Sequence, residues 1–180
     1  MYEYLVCLFI SSQAKGQICL LADEVAKESG VHPLYLWLDP HITFHQPIVA
    51  DENLLKKLLA NAVTRARQSR ITFSGDMDHF EKKYIVLPIQ TTWEIASLWV
   101  AIHTEFAIGL PKYERGKYDG DNTLHVAIAE VTEEIYDRAW PKIKKIRFEP
   151  TTIPFETISL YRKPVTGGKW ENIASFPIPK

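Results

Sequence analysis

Two segments far apart in the chain repeat one pattern, and each centres on a histidine. The first is Pro40-His41-Ile42-Thr43-Phe44 and the second is Leu124-His125-Val126-Ala127-Ile128. Both are rich in strand-favouring residues with apolar side chains at alternate positions. Successive side chains of a strand point to opposite faces. His41 and Thr43 therefore share one face, with Ile42 and Phe44 behind them. His125 and Ala127 share a face in the same way, with Val126 and Ile128 turned to a core. A fold that satisfies both segments must bury two apolar faces while holding two imidazoles at the surface.

The order of elements around the two segments is similar. Residues 2–10 read as an apolar strand, and Ile18, Leu21, Val25 and Ala26 give a helix over 16–29 that Gly30 ends. The first histidine strand spans 41–46 and is closed by Pro47. Asp51 caps a helix to about residue 68 with Leu55, Leu58, Leu59 and Ala62 inward. Strands over 70–76 and 82–89 follow, joined by a turn at 76–78. In the second half a capping box of Thr91 and Glu94 starts a helix, and Gly109 suits its end. The second histidine strand comes next, then a helix capped by Thr132 with Glu133 and Glu134 in its first turn. Strands over 154–162 and 170–177 finish the chain. This parallel predicts an internal duplication, with two lobes of roughly 1–90 and 91–180 and the histidine faces meeting between them.

Composition limits the function. The 180 residues, 46% apolar and 12% aromatic, suit one packed domain. A formal charge of -1 excludes a general nucleic-acid coat, but not a local pocket for one phosphate or an RNA end. Cys7 and Cys19 read as free thiols of a reducing compartment, without the spacing of a metal site. No run is long enough to span a membrane, and the N-terminal residues read as a strand, not a signal peptide. A cytoplasmic monomer is expected.

Taken together, these features resemble the 2H phosphoesterase superfamily, which includes the 2′–5′ RNA ligase-like proteins and cyclic nucleotide phosphodiesterases. Its signature is a pair of His-x-Thr/Ser-x motifs with apolar residues at the x positions. His41-Ile42-Thr43-Phe44 matches in full. His125-Val126-Ala127-Ile128 matches except for Ala127, which stands where Thr or Ser is expected. The resemblance implies an α+β, bilobal fold, with two pseudo-symmetric lobes and antiparallel sheets around a central cleft. It implies a metal-independent, cofactor-free phosphodiesterase acting on a small cyclic nucleotide or an RNA terminus, at a 2′,3′-cyclic phosphate or 2′–5′ linkage. His41 and His125 would be catalytic, and Thr43 would hold the phosphate. From the same likeness, Tyr161 or Arg162 is expected near the cleft.

The residue chemistry agrees. Imidazole titrates near ~6.5 and can serve as acid or base at neutral pH. Two such groups flanking one phosphorus atom suit the opening of a cyclic phosphate and its reverse. Thr123, two residues before His125, faces the same way if its strand starts early, so it or a backbone N–H is expected to replace the hydroxyl missing at Ala127. His45 shares the face of His41 by alternation. The loop 110–121 carries Lys112, Arg115 and Lys117 interleaved with Tyr113 and Tyr118, as a phosphate-binding lid would. Gly167-Gly168-Lys169 lacks the remainder of a P-loop. The five tryptophans are expected to serve packing. Loss of activity with inert motif positions, leaving a nucleotide-binding module, is the competing reading.

Overall fold

The computed structural model describes residues 1–10, 12–111, 113 and 124–180. Its strands are β1 (Tyr2–Phe9), β2 (His41–Ile48), β3 (Ser69–Phe73), β4 (Asp78–Phe80), β5 (Tyr84–Gln90), β6 (His125–Glu130), β7 (Thr152–Phe155), β8 (Thr157–Pro164) and β9 (Glu171–Pro177). Its helices are α1 (Ser12–Ser29), α2 (Glu52–Val63), α3 (Trp93–Gly109) and α4 (Glu133–Ile143), with a short 3-10 turn at Leu34–Leu36 before β2. The expected α+β architecture with antiparallel strands is present. All pairings are antiparallel, in the order β7-β3-β5-β6-β2-β1-β8-β9, with β4 added alongside β5.

Caps set the helix starts. The Asp51 side chain accepts from the N–H of Leu54 at 2.8 Å, and that of Thr132 accepts from Ile135 at 3.3 Å. The cap of α3 is Thr92, not Thr91, and it accepts from the N–H of Ile95. Gly109 does not end α3 through a left-handed conformation, since its φ is not positive. It is required by packing: a Cβ there would lie 2.5 Å from Cδ2 of Leu58, where α3 crosses α2.

The strand order has an approximate two-fold axis between β2 and β6. The axis exchanges β1 with β5, and it exchanges α1 with α3 and α2 with α4. Accordingly α1 packs on α4, and α2 packs on α3. The halves of the sheet do not follow the halves of the chain. One side contains β2, β1, β8 and β9, and the other contains β6, β5, β3 and β7. β3 thus crosses from the N-terminal half to pair with β5, and β8 crosses back to pair with β1. Only Glu156 separates β7 from β8, which lie toward opposite ends of the strand order. One residue spans about 3.5 Å, so the sheet must curl until its two ends approach each other.

The core lies between the outer face of this curled sheet and the helices. Val6, Leu8, Ile42, Phe44, Leu87, Val126 and Ile128 come from the sheet, and Ile18, Val25, Leu55, Leu59, Ile95, Leu98 and Phe106 from the helices. The inner face carries the site. β2 continues through Pro47 to Ile48 instead of stopping at the proline. β6 begins only at His125, level with Thr43, so among the described residues Pro47 has no ladder partner on that side and its missing N–H is tolerated. β4 and β5 are joined by Glu81, Lys82 and Lys83; the N–H of Lys83 donates to the Phe80 carbonyl at 2.8 Å and closes a tight turn with Glu81 and Lys82 at φ of 50° and 54°. Such hairpin turns require positive φ and normally use Asn or Gly. Here Lys82 is tied to Asp137 at 2.9 Å and Glu133 at 3.3 Å on α4, which holds the turn in place.

Gly109→Ala should overpack the α2–α3 crossing by about 1–3 kcal/mol. Thermal unfolding checks this. A chain of this size loses about 2–4 °C in Tm for each kcal/mol, and an unchanged Tm would contradict the close approach.

Candidate functional site

β2 and β6 meet through one antiparallel pair, Ile42 with Val126. Both side chains are fully buried in the core. Carried one residue to each side, this register sets Thr43 opposite His125 and His41 opposite Ala127. All four point to the inner face, and all four are half-buried. The two histidines are therefore diagonal neighbours across a strand pair, a spacing of about 7–8 Å between their backbones. They line one cleft of about 560 Å³ together with Thr43 and Ala127.

The resemblance between the two motif strands extends into their irregularities. β2 contains an extra residue relative to β1: Cys7 faces Thr43, but Val6 faces His45. β6 contains an extra residue relative to β5: Val86 faces Ala127, but Ile85 faces Ala129. The inserted residues are Phe44 and Ile128, each three positions after its histidine. A bulge of this kind breaks alternation and bends the strand. His45 is consequently turned away from His41 and Thr43. It is 3% exposed on the outer face, against the rings of His103 and Phe106. Its counterpart Ala129 is buried on the same side.

Neighbouring groups orient the His41 ring. Its Nδ1 lies 2.8 Å from the carbonyl oxygen of Asp39. A carbonyl only accepts, so Nδ1 carries a proton and Nε2 of the neutral ring keeps its lone pair. Phe9 stacks on the ring at 5.6 Å, with Tyr161 stacked behind Phe9 at 4.4 Å. Burial pushes the His41 pKa below its ordinary value. The bond to Asp39 opposes that shift, and the nearby His125 adds to it. The two imidazoles are thus electrostatically coupled. His125 rests against Phe80 with ring centroids 4.6 Å apart, so the strained Glu81–Lys82 turn holds the aromatic support of the second histidine.

The other sequence candidates lie as follows. Tyr161 is cross-strand from Leu5 on the histidine face and sits behind Phe9; burial raises the pKa of its phenol. Arg162 faces the other way. Its guanidinium bonds Glu52 of α2 at 2.8 Å and also Glu171, and it covers the ring of Tyr2. The structure does not bring it to the histidines. Lys163, one residue on, does line the cleft, paired with Glu3 at 2.9 Å. Thr123, Lys112, Arg115, Lys117 and Tyr118 lie outside the described residues. Tyr113 is turned outward, with its hydroxyl against Nδ1 of His103. His103 is buried, and its Nε2 donates to the carbonyl of Phe44 at 3.2 Å.

Sequence reasoning missed the aromatic supports Phe9 and Phe80 and the cleft residues Lys163 and Trp37. Not all tryptophans serve packing, since Trp37 and Trp93 are 73% and 81% exposed. Among the described residues, no three His, Cys, Asp or Glu side chains converge as a metal-ligand set. Among the described residues no helix is long and apolar enough to cross a membrane.

A family model of the 2′-5′ RNA ligase superfamily matches residues 15–165, including both histidine strands. The chain belongs to the 2′-5′ RNA ligase superfamily. This 2H phosphoesterase group comprises phosphoesterases and RNA ligases, and an enzyme of that broad class is the assignment it supports. Among curated proteins none matches this sequence. Solved structures share the fold. A phosphoesterase superposes with a TM-score of 0.69 at 12% identity, covering 100% of both chains. E. coli LigT in its apo form gives 0.64 at 11% identity over 99% of this chain and 98% of that one. Kluyveromyces marxianus Usb1 gives 0.52 at 10% identity over 99% and 98%.

The coupling between the histidines is measurable by NMR titration. His41 should titrate below about 6.5, the ordinary histidine value. In His125→Ala its midpoint should move upward, because a neighbouring positive charge has been removed. A midpoint that stays in place would mean that the rings do not sense each other.

Proposed function

We propose that this member of the superfamily is a metal-independent phosphodiesterase. Its substrate is a 2′,3′-cyclic phosphate or a 2′–5′ phosphodiester in an RNA end or small nucleotide. The observation that carries this reading is the Ile42–Val126 pairing, which aims both histidines and Thr43 into one cleft. E. coli LigT has been crystallised with 3′-AMP, with NADP+ and with ATP. Those complexes support a nucleotide as the ligand of a cleft in this fold.

In the proposed hydrolysis, Nε2 of neutral His41 accepts a proton from water as the water oxygen attacks phosphorus. Protonated His125 donates its proton to the departing ribose oxygen. Each histidine ends in the other's starting state, so the reverse reaction uses the same groups with roles exchanged. The Asp39 carbonyl fixes the tautomer that a base at this position requires, and the lowered pKa keeps His41 neutral at physiological pH. Thr43, level with His125, donates its hydroxyl to a phosphate oxygen.

His41→Ala and His125→Ala should each reduce turnover of a nucleoside 2′,3′-cyclic phosphate by about 10²–10⁴-fold. Excess chelator should leave the wild-type rate unchanged. The acid limb of kcat/KM should have its midpoint below about 6.5, since the essential base loses its proton at lower pH than a free imidazole. Activity abolished by chelator, or retained in the double alanine variant, would refute the mechanism.

Ala127 favours a second reading, a catalytically weakened nucleotide- or RNA-end-binding module. The register leaves a methyl group beside His41 where Thr43 stands beside His125. A hydrogen bond to a charged group contributes about 1.5–3 kcal/mol. If the missing hydroxyl limits the rate, Ala127→Thr should raise kcat at least tenfold with His41 and His125 unaltered. If another group already replaces it, steady-state kinetics will show no gain or a steric loss.

A further inference from the structure

Trp37 is 73% exposed, yet it lines the cleft that holds His41 and His125. Tryptophan ordinarily contributes to stability by burial, and this indole is held open on a firmly fixed segment. The backbone N–H of Trp37 donates to the carbonyl of Leu34 at 3.0 Å. The hydroxyl of neighbouring Tyr35 donates to Asp23 of α1 at 2.7 Å. Asp39 is ion-paired with Lys15 of α1 at 2.6 Å, and the Pro40 carbonyl accepts from Ile10 at 3.2 Å. The ring is therefore presented by a pinned backbone.

Every other cleft aromatic but Tyr35, whose hydroxyl is held by Asp23, has a ring or cation against it. Phe80 packs on His125, Trp99 on His103, Tyr84 under Lys83 and Trp170 under Lys163. Among the described residues Trp37 has no ring or cation against either of its faces. It is four residues ahead of His41, which limits their Cα separation to about 14 Å. The segment that carries the indole also supplies the Asp39 carbonyl that orients His41. A flat apolar partner, attached to a phosphorus held between the histidines, fits such a ring.

We propose that Trp37 is the stacking platform for the nucleobase of the substrate, so that the enzyme favours a base-bearing phosphodiester. This deepens the function proposed above and rests on it for the position of the phosphorus. Base–aromatic stacking tolerates any base, and the platform therefore selects nucleotides over simple phosphate esters without selecting a sequence.

The test compares adenosine 2′,3′-cyclic phosphate with ribose 2,3-cyclic phosphate lacking the base. In Trp37→Ala the KM for the adenosine compound should rise about 5- to 100-fold, from the alanine-scan range for stacked bases. Its kcat should stay within about twofold, and the KM for the base-free compound should not change. Trp37→Phe should restore most of the loss. Equal effects on both compounds, or none on either, overturn the platform while leaving the phosphodiesterase reading intact. If the wild type turns over neither compound, the cyclic-phosphate arm of the function proposal fails. Calorimetric binding of 3′-AMP and ribose 3-phosphate then decides the platform. Weakening of 3′-AMP alone in Trp37→Ala supports it, and unchanged 3′-AMP affinity or absence of 3′-AMP binding overturns it.

Discussion

Backbone pairing between β2 and β6 puts Ile42 against Val126 at the centre of the sheet. Because strand side chains alternate, one buried pair at that point commits the flanking residues of both strands to the inner face. His41, Thr43, His125 and Ala127 then form a single two-by-two block. The core does not merely support the site. The hydrophobic requirement of Ile42 and Val126 determines which way the imidazoles point, and slipping either strand by one residue would reverse it.

The bulges at Phe44 and Ile128 confine that block. Each appears one residue beyond the histidine-bearing block and diverts the next side chain outward. Phe44 packs against Phe155 of β7 with ring centroids 5.8 Å apart. The strand carrying His41 is thereby anchored across the curled sheet. His45, turned outward by the same irregularity, joins His103 and Tyr113 in a polar cluster behind β2. The inner face is left with a short, defined set of polar groups, set in an aromatic surround from β1, β4 and the segment before β2.

Much of this was legible from the residues. The two histidine motifs, their faces, the Asp51 and Thr132 caps and the duplicated order of elements all follow from local periodicity and chemistry. The resemblance of the paired motifs supplied the family and the bilobal α+β expectation. The misreadings have a common cause, which is that pairing partners lie far away in sequence. Alternation places His45 with His41, and only the register with β1 reveals the extra residue between them. Gly109 does close α3, but what requires a glycine there is Leu58 of α2 against it, which the local sequence does not show. Arg162 and Lys163 are both cationic, and the β1 register alone sends one to Glu52 and the other to the cleft. Trp37 resembles any core tryptophan in a list of residues. Its distinction is a lack of neighbours, which no local pattern records.

The interlaced strands have a consequence for biosynthesis. β1 is made long before β8, yet β8 completes one of its edges. Contacts of such long sequence separation form late and slowly. The concave sheet around His41 can close only once β8 has left the ribosome. Until then β1 keeps an unpaired edge, and a ribosome stalled before β8 yields an open-edged fragment for chaperones to shield.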